Sequence, residues 1–400
     1  MRSKKIIIGC IILILVLVLI AIFVYPFIKR MQHEKREREK MAIAFSIRLP
    51  LIIDEMSYFR IPCAINDDSL LLIVDTKAQS LLKEEDIEKY NGSYFGKLPI
   101  SMENAYKAKE EIRMYEFNGF SIQGHSFGNP IFQKISKSNL IYDFLGDGVL
   151  GINILSLCHW KFSIDEREVH LYGRKDSATI MSETNGYTKI PYGLRDNQIR
   201  LILTNLDQPQ NFTLDLGFDG EIEINNLIAD SLMKTGSFKT IETLRRDGSK
   251  GIIHLFEHQK VEWNGVIIDN CQLVNIPDVD GNYIGAELMR RFNFILAYGD
   301  YIGHDKQDHL YIHPIQGFDS LQSKPFISKF GFNIKEKEGA TIISAIEKGG
   351  VAQKQGLTLG TKIISIDHDT LDAHQVGNYV YGKDRLIITT PSNEHLLSGE

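Results

Sequence analysis

Past residue 41 the chain is a succession of short apolar runs broken by turn-forming residues. Runs such as SLLLIVDT, EFNGFSIQG, IRLILTNL, NFTLDLGFDGEIEIN, HQKVEWNGVIIDNCQLVNI and FNFILAY are rich in β-branched or aromatic residues, which pack well on a pleated surface. Asn-Gly and Asp-Gly pairs stand within or between them, and such pairs accept the positive φ of tight hairpins. The pattern predicts a mainly β protein. Helical spacing is confined to Ala78–Tyr90, IADSLMKTG, AELMRRF and VAQKQG, short pieces that decorate sheets. Ahead of all this, Ile6–Ile28 is one uncharged apolar run. At about 1.5 Å per residue it is long enough to cross a hydrocarbon core of about 30 Å.

That run exceeds the h-region of a secretory signal, usually about 7 to 15 residues, and no small-x-small cleavage site follows it. Residues 1–30 are therefore expected to be an uncleaved transmembrane anchor. Residues 31–41 contain HEKREREK, whose alternating charges predict a solvated helical stalk. Arg2, Lys4 and Lys5 precede the span, and Lys29, Arg30, Lys35, Arg36, Arg38 and Lys40 follow it. Counted alone, those charges would keep the main domain in the cytoplasm, although the rule weakens for long translocated domains.

Composition narrows the function. The 400 residues are 43% hydrophobic, enough for more than one core at about 100 to 200 residues per domain. A net charge of −6 offers no basic surface for nucleic acid, and no stretch interleaves aromatic with basic residues. Cys63, Cys158 and Cys271 lie far apart without CxxC spacing and read as small buried hydrophobes. Cys10 falls inside the apolar run. His125, His254 and His258 have no companion ligands, so no metal or other cofactor is expected. No Gly-x-Ser-x-Gly elbow is present, and Cys158 and His159, as sequence neighbours, have no triad geometry.

The chain repeats itself. LLIVDTKA at Leu71–Ala78 recurs as NFTLDLGF at Asn211–Phe218, each an apolar strand ending in aspartate and followed by a helical stretch. Downstream come apolar-apolar-glycine turns, GVLG ending at Gly151 and YIGA around Gly285. INILSLCHWKFSID and AELMRRFNFILAY follow these, and then EVHLY and DHLYI. Four features in the same order twice imply two copies of one lobe, residues 42–180 and 181–315.

These residues resemble the retropepsin-like aspartic peptidases, in the two-lobed, pepsin-type, membrane-anchored form of bacterial proteins. The resemblance covers about residues 42–315. It implies duplicated acid-protease-like β-barrel lobes, Asp75 and Asp215 as the catalytic pair, and Thr76, Ala78, Gly217, Gly151 and Gly285 as supporting residues. It also implies a polypeptide substrate and a single-pass protein of the cell inner membrane with its main domain facing the periplasm. The chemistry requires two carboxylates close enough to share one proton, one acting as base toward a water and the other as acid toward the peptide carbonyl. In the family motif the glycine permits close backbone approach, and the hydroxyl after the aspartate braces the opposite lobe. Met114–Phe132, with two glycine-bounded turns, reads either as a hairpin closing over substrate or as an ordinary exposed hairpin.

Each half departs from that pattern differently. Lys77 stands where the first lobe should have glycine, while Leu216 and Phe218 replace the hydroxyl and the small residue of the second. An ammonium reaching the dyad would hold both carboxylates ionised and remove the shared proton. Pointed to solvent, Lys77 would leave the dyad intact if its backbone angles suit a non-glycine residue.

After Pro325, KFGFNIKEKEGATIISAIEKGGVAQKQGLTLGTKIISID resembles a PDZ domain, over about residues 326–395. Phe330, Gly331 and Phe332 occupy the carboxylate-loop position, and with Ile334 they are the expected peptide-binding residues, although Phe332 and Ile334 read equally as strand-core residues. N–H groups near Gly331 and Phe332 would receive a peptide C-terminus while the peptide adds a strand to the sheet edge. Thr361 replaces the usual Asp, and the short remaining chain leaves little room for a long second helix. Two functions follow from these resemblances. One is an anchored aspartic endopeptidase whose PDZ-like module captures peptide termini. The other is an inactive homologue, a pseudoenzyme that binds peptides or scaffolds. The first needs Lys77 directed away from the dyad; the second expects Lys77 paired with a carboxylate, or a cleft sealed by Leu216 and Phe218.

Overall fold

The structure is a computed structural model describing residues 23–398, apart from 104–108, 138, 140–141, 143–144, 192–197, 204–207, 246–247, 280, 299–308, 319–324, 338 and 370–382. The chain is mainly β, as its alternation predicts. It divides into two compact units. The first comprises Met1–Gln198, Leu214–Gly217 and Arg290–Gln316, and the second Ile199–Thr213, Phe218–Met289 and Gly317–Glu400. The two units are interleaved along the chain rather than consecutive, and strand pairing supplies the reason in each.

In the first unit a six-stranded sheet runs in the order Ser46–Pro50, Glu168–Tyr172, His159–Ser163, Phe292–Ala297, His309–Pro314, Thr188–Pro191. Its central antiparallel pair aligns Trp160 with Leu296 and Phe162 with Phe294. The rings of Phe162 and Phe294 stack with centroids 4.5 Å apart, and Trp160, Phe162, Phe292 and Phe294 are fully buried. Phe292–Ala297 and His309–Pro314, assigned by sequence to the second lobe, therefore bury their apolar side chains in the first unit.

The second sheet of this unit carries the strand Asp68–Val74, which ends at Asp75. It pairs antiparallel with Phe59–Ile65, whose strictly alternating burial matches the period of two. On its other side Ile73 and Val74 run parallel to Val149 and Leu150. The long hairpin is formed by Ser93–Glu103 and Lys109–Glu116, earlier than expected. The predicted Met114–Phe132 stretch does contain a hairpin, Phe120–Ile122 antiparallel to His125–Ser126, but much of it is core: Phe117, Phe120, Ile122, Phe127 and Phe132 are buried. Its glycine-bounded turns are real, with Gly119, Gly124 and Gly128 at positive φ, but its aromatic residues are too apolar to cover a solvent-filled site.

Of the expected anchor, residues 1–22 lie outside the described residues. No helix among the described residues is long and apolar enough to cross a membrane. Residues 23–40 are helical. The predicted stalk is thus a helix, but it is not solvated all round: His33 is 4% exposed and Glu37 2%. His33 Nε2 meets Asn129 O at 2.8 Å, the Asn129 N–H donates to Glu37 Oε2 at 3.0 Å, and Lys29 Nζ donates to Phe95 O at 2.6 Å. Lys29, His33 and Glu37 recur every four residues and so share one helical face.

In the second unit, Ile222–Glu223 lies antiparallel to Tyr283–Ile284 and parallel to Val266–Asn275. In the first unit, Leu81–Lys83 lies antiparallel to Val149–Leu150 and parallel to Ile131–Ile135 in the same way. The duplication read from the sequence is therefore a duplication of backbone wiring. The second unit also has a long hairpin, Lys239–Leu244 with Lys250–Trp263. Its outer strand pairs with Ala340–Glu347, aligning Ile241 with Glu347 and Thr243 with Ala345. Ile241, Ile253, Leu255, Val274, Ile327 and Ala345 share one apolar cluster. The C-terminal module thus extends an existing sheet. Its own core gathers Phe330, Phe332, Ile343, Ile346, Leu386 and Ile388, among others.

Candidate active site

Asp75 follows its strand directly, and its backbone N–H donates to Leu150 O at 3.1 Å. The carboxylate turns back onto the loop it begins. Asp75 Oδ1 accepts from Lys77 N and from Ala78 N, both at 2.8 Å. Ala78 O accepts the Ile152 N–H at 2.8 Å, tying the loop to the turn at Gly151. A Cβ at Gly151 would lie 2.3 Å from Ser80 N and 2.5 Å from Ala78 O, so only glycine admits this approach. Asp215 has a simpler cradle, with Gly217 N donating to Asp215 Oδ1 at 3.1 Å. The Ile152–Ala78 bond has its counterpart in the second unit, where Ala286 N donates to Phe218 O at 2.8 Å.

Asp75 and Asp215 belong to the same compact unit, and the structure brings them together. A Cβ added to Gly217 would lie 2.2 Å from Asp75 Oδ2 and 3.3 Å from Asp215 Oδ1. Both carboxylates therefore crowd one glycine, and any larger residue there would force them apart. Thr76 holds the arrangement from beneath. It is fully buried, donates through Oγ1 to Leu214 O at 2.7 Å, and accepts from Leu216 N at 3.2 Å. The hydroxyl thus braces the residues on both sides of Asp215. Leu216 offers no hydroxyl to return the contact and is itself fully buried.

Lys77 turns toward the pair. Its ammonium lies 3.3 Å from Asp215 Oδ2, although 42% of the side chain remains exposed. Burial, and after it the charge of Asp215, push the Asp75 carboxyl up to about 7, against the N–H donors of Ala78 and Lys77 and the Lys77 ammonium. Burial raises Asp215 as well, while the Lys77 ammonium and the Gly217 N–H pull it back. Below neutral pH the pair takes up a proton, and the Lys77 ammonium beside Asp215 favours leaving the charge on that carboxylate.

Phe218, in the second unit, lies over two glycines: a Cβ at Gly220 would be 2.2 Å from Phe218 Cζ, and one at Gly285 would be 2.6 Å from Phe218 Cδ1. Gly285 thus has a requirement like that of Gly151. Sequence reasoning missed Ser80 and Asn153. Ser80 donates through both its N–H and its hydroxyl to Asn153 Oδ1, at 2.8 and 2.9 Å, and its hydroxyl accepts the Gly151 N–H at 2.9 Å. The available signal was Ser80 next to the apolar pair Leu81-Leu82 and Asn153 inside the apolar run INIL.

The expected peptide-binding residues of the C-terminal module are placed otherwise. Phe330 and Phe332 are buried in the module's core, and Ile334 packs against it. Gly331 N donates to Ser328 O at 2.8 Å and Phe332 N to Ser328 Oγ at 3.3 Å, so the donors meant for a terminal carboxylate are engaged within the chain. The expected shortage of room for a second helix falls on 370–382, outside the described residues. His125 packs its ring on Phe45 at 4.2 Å, and no cluster of three or more potential metal ligands occurs among the described residues. No family model matches this sequence, and no curated protein matches it.

Proposed function

We propose that the chain is a membrane-anchored protein of the retropepsin-like type, with a PDZ-like module at its C-terminus, that holds polypeptide without hydrolysing it. The observation that carries this reading is the Lys77 ammonium 3.3 Å from Asp215 Oδ2. Hydrolysis needs one carboxylate free to take a proton from water while the other donates one. Here the oxygen of Asp215 nearest the ammonium is committed to it, and withdrawing the proton-accepting lone pair lowers its basicity. Leu216 removes the second hydroxyl brace, a further departure on the same side. Polypeptide would be held by strand addition, the mode suited to the strand Phe332–Lys337, which ends its sheet among the described residues.

A second reading, an active endopeptidase with Asp75 as acid and Asp215 as base, is favoured by the raised Asp75 carboxyl and the intact Thr76 brace. One assay separates the two. Full-length protein in detergent is incubated with a peptide library at acidic and neutral pH, beside Asp75→Asn and Lys77→Gly. The non-hydrolytic reading expects no cleavage by the parent and a gain of cleavage in Lys77→Gly. Cleavage by the parent that vanishes in Asp75→Asn would establish the peptidase instead.

A further inference from the structure

The face of helix 23–40 bearing Lys29, His33 and Glu37 is covered by the first unit through Phe95 and Asn129. The edge of the His33 ring also meets Phe95 at 5.1 Å, and the Lys29 ammonium sits 4.1 Å over the Phe95 ring. Tyr25 stands one turn before Lys29 on that same face, yet it is 64% exposed. Among the described residues the body of the first unit therefore covers this face at Lys29 and no longer at Tyr25. Phe23, Val24, Phe27 and Ile28 are exposed as well. Among the described residues nothing covers these apolar side chains, and the sequence before them, Ile6–Ile22, carries no charge. The apolar run stops at Ile28, so the level at which the folded unit begins is the level at which the apolar chain ends.

We infer that the first unit rests directly on the bilayer, with Tyr94, at the base of the long hairpin, in the headgroup layer beside Tyr25. This rests on the anchor reading proposed above. Phe95 O accepts from Lys29, and Tyr94 is its neighbour in the chain, so Tyr94 belongs to the part of the first unit that meets the helix one turn past Tyr25. Tyr94 is 61% exposed, and its ring meets Tyr115 edge-on at 5.6 Å. An exposed tyrosine backed by a half-buried one suits the interface, where amphipathic rings bury an apolar body and keep a wet hydroxyl. The cations Lys97 and Arg113 lie on the same two strands, both paired with Glu111. The partner is thus a lipid surface met mainly through aromatic contact. Three bonds from one helical face fix the height, because the helix cannot slide without breaking all of them.

The test places full-length protein in vesicles of phosphatidylcholine and phosphatidylglycerol, some carrying bromine near the headgroup end of the acyl chains. Trp160 and Trp263 are fully buried and give the baseline in unmodified protein. Tyr25→Trp and Tyr94→Trp each add one reporter at an exposed position. Both are expected to lose fluorescence in brominated vesicles relative to the baseline. With the latch removed by Lys29→Ala, His33→Ala and Glu37→Ala together, the loss at position 94 should disappear while that at 25 persists. Quenching at 25 without quenching at 94 would overturn the inference and leave the anchor standing. Quenching at neither position would overturn both.

Discussion

At the scale of single residues, the site turns on what Thr76 and Lys77 do with adjacent side chains. The Thr76 hydroxyl serves a buried carbonyl and a buried N–H at once, and leaving such groups unmade costs about 1–3 kcal/mol. Thr76→Ala is expected to lower stability by that amount in denaturant titration, while Thr76→Ser, which keeps the oxygen, should lose less than half of it. An equal loss in both variants would mean that the methyl group and its packing matter more than the bridge. Lys77 works at longer reach. Its N–H supports Asp75 while its ammonium engages Asp215, so one residue stabilises negative charge on both carboxylates.

At the scale of elements, the strand Lys239–Leu244 shows how the C-terminal module is joined to the rest of the second unit. It is paired on one side by Lys250–Trp263 and on the other by Ala340–Glu347. Lys348 N donates to Thr240 O at 2.8 Å and Lys335 Nζ to Leu244 O at 2.9 Å, closing both ends of the seam. Deleting residues 326–400 would turn 239–244 into an open edge and uncover Ile241, and open apolar edges recruit other chains. The deleted protein is expected to self-associate in size-exclusion chromatography, whereas the full chain should elute unchanged on dilution. A monomeric deletion product would mean that the module is attached rather than integral. Much of this organisation was hidden in the sequence. The run TIISAI reads as a strand by composition, but composition does not say which edge it joins, because antiparallel partners distant in sequence leave no local mark. The burial of the Met114–Phe132 stretch was hidden for a related reason. Met114–Phe132 has the turn glycines of a hairpin, and its burial is set by neighbours such as Phe117 against Phe132, whose rings meet edge-on at 5.5 Å.

At the scale of the whole molecule, the buried Asp75 carboxyl should make folding stability depend on pH. An ordinary aspartate titrates near about 3.9, and Asp75 is pushed up to about 7. Between those values the folded chain binds more protons than the unfolded one, so this contribution is fully present below about 4 and is lost as pH rises toward 7. Thermal melting is expected to fall by several degrees over that window, to flatten in Asp75→Asn and to steepen in Lys77→Ala, which removes the compensating cation. A parent profile that rises over that interval would contradict the assignment. The sequence by itself determined the mainly β character, the two-fold repeat and the equivalence of Asp75 and Asp215, because side-chain alternation and turn residues are written locally. It also singled out Lys77 as the residue in question. Only the tertiary structure decided that the Lys77 ammonium goes to Asp215, that the charged helix docks one face on Phe95 and Asn129, and that the last module completes a sheet. Those outcomes depend on groups brought close by strand register and burial, and a flexible ammonium or a charged helical face takes its partner from whatever the folded chain sets beside it.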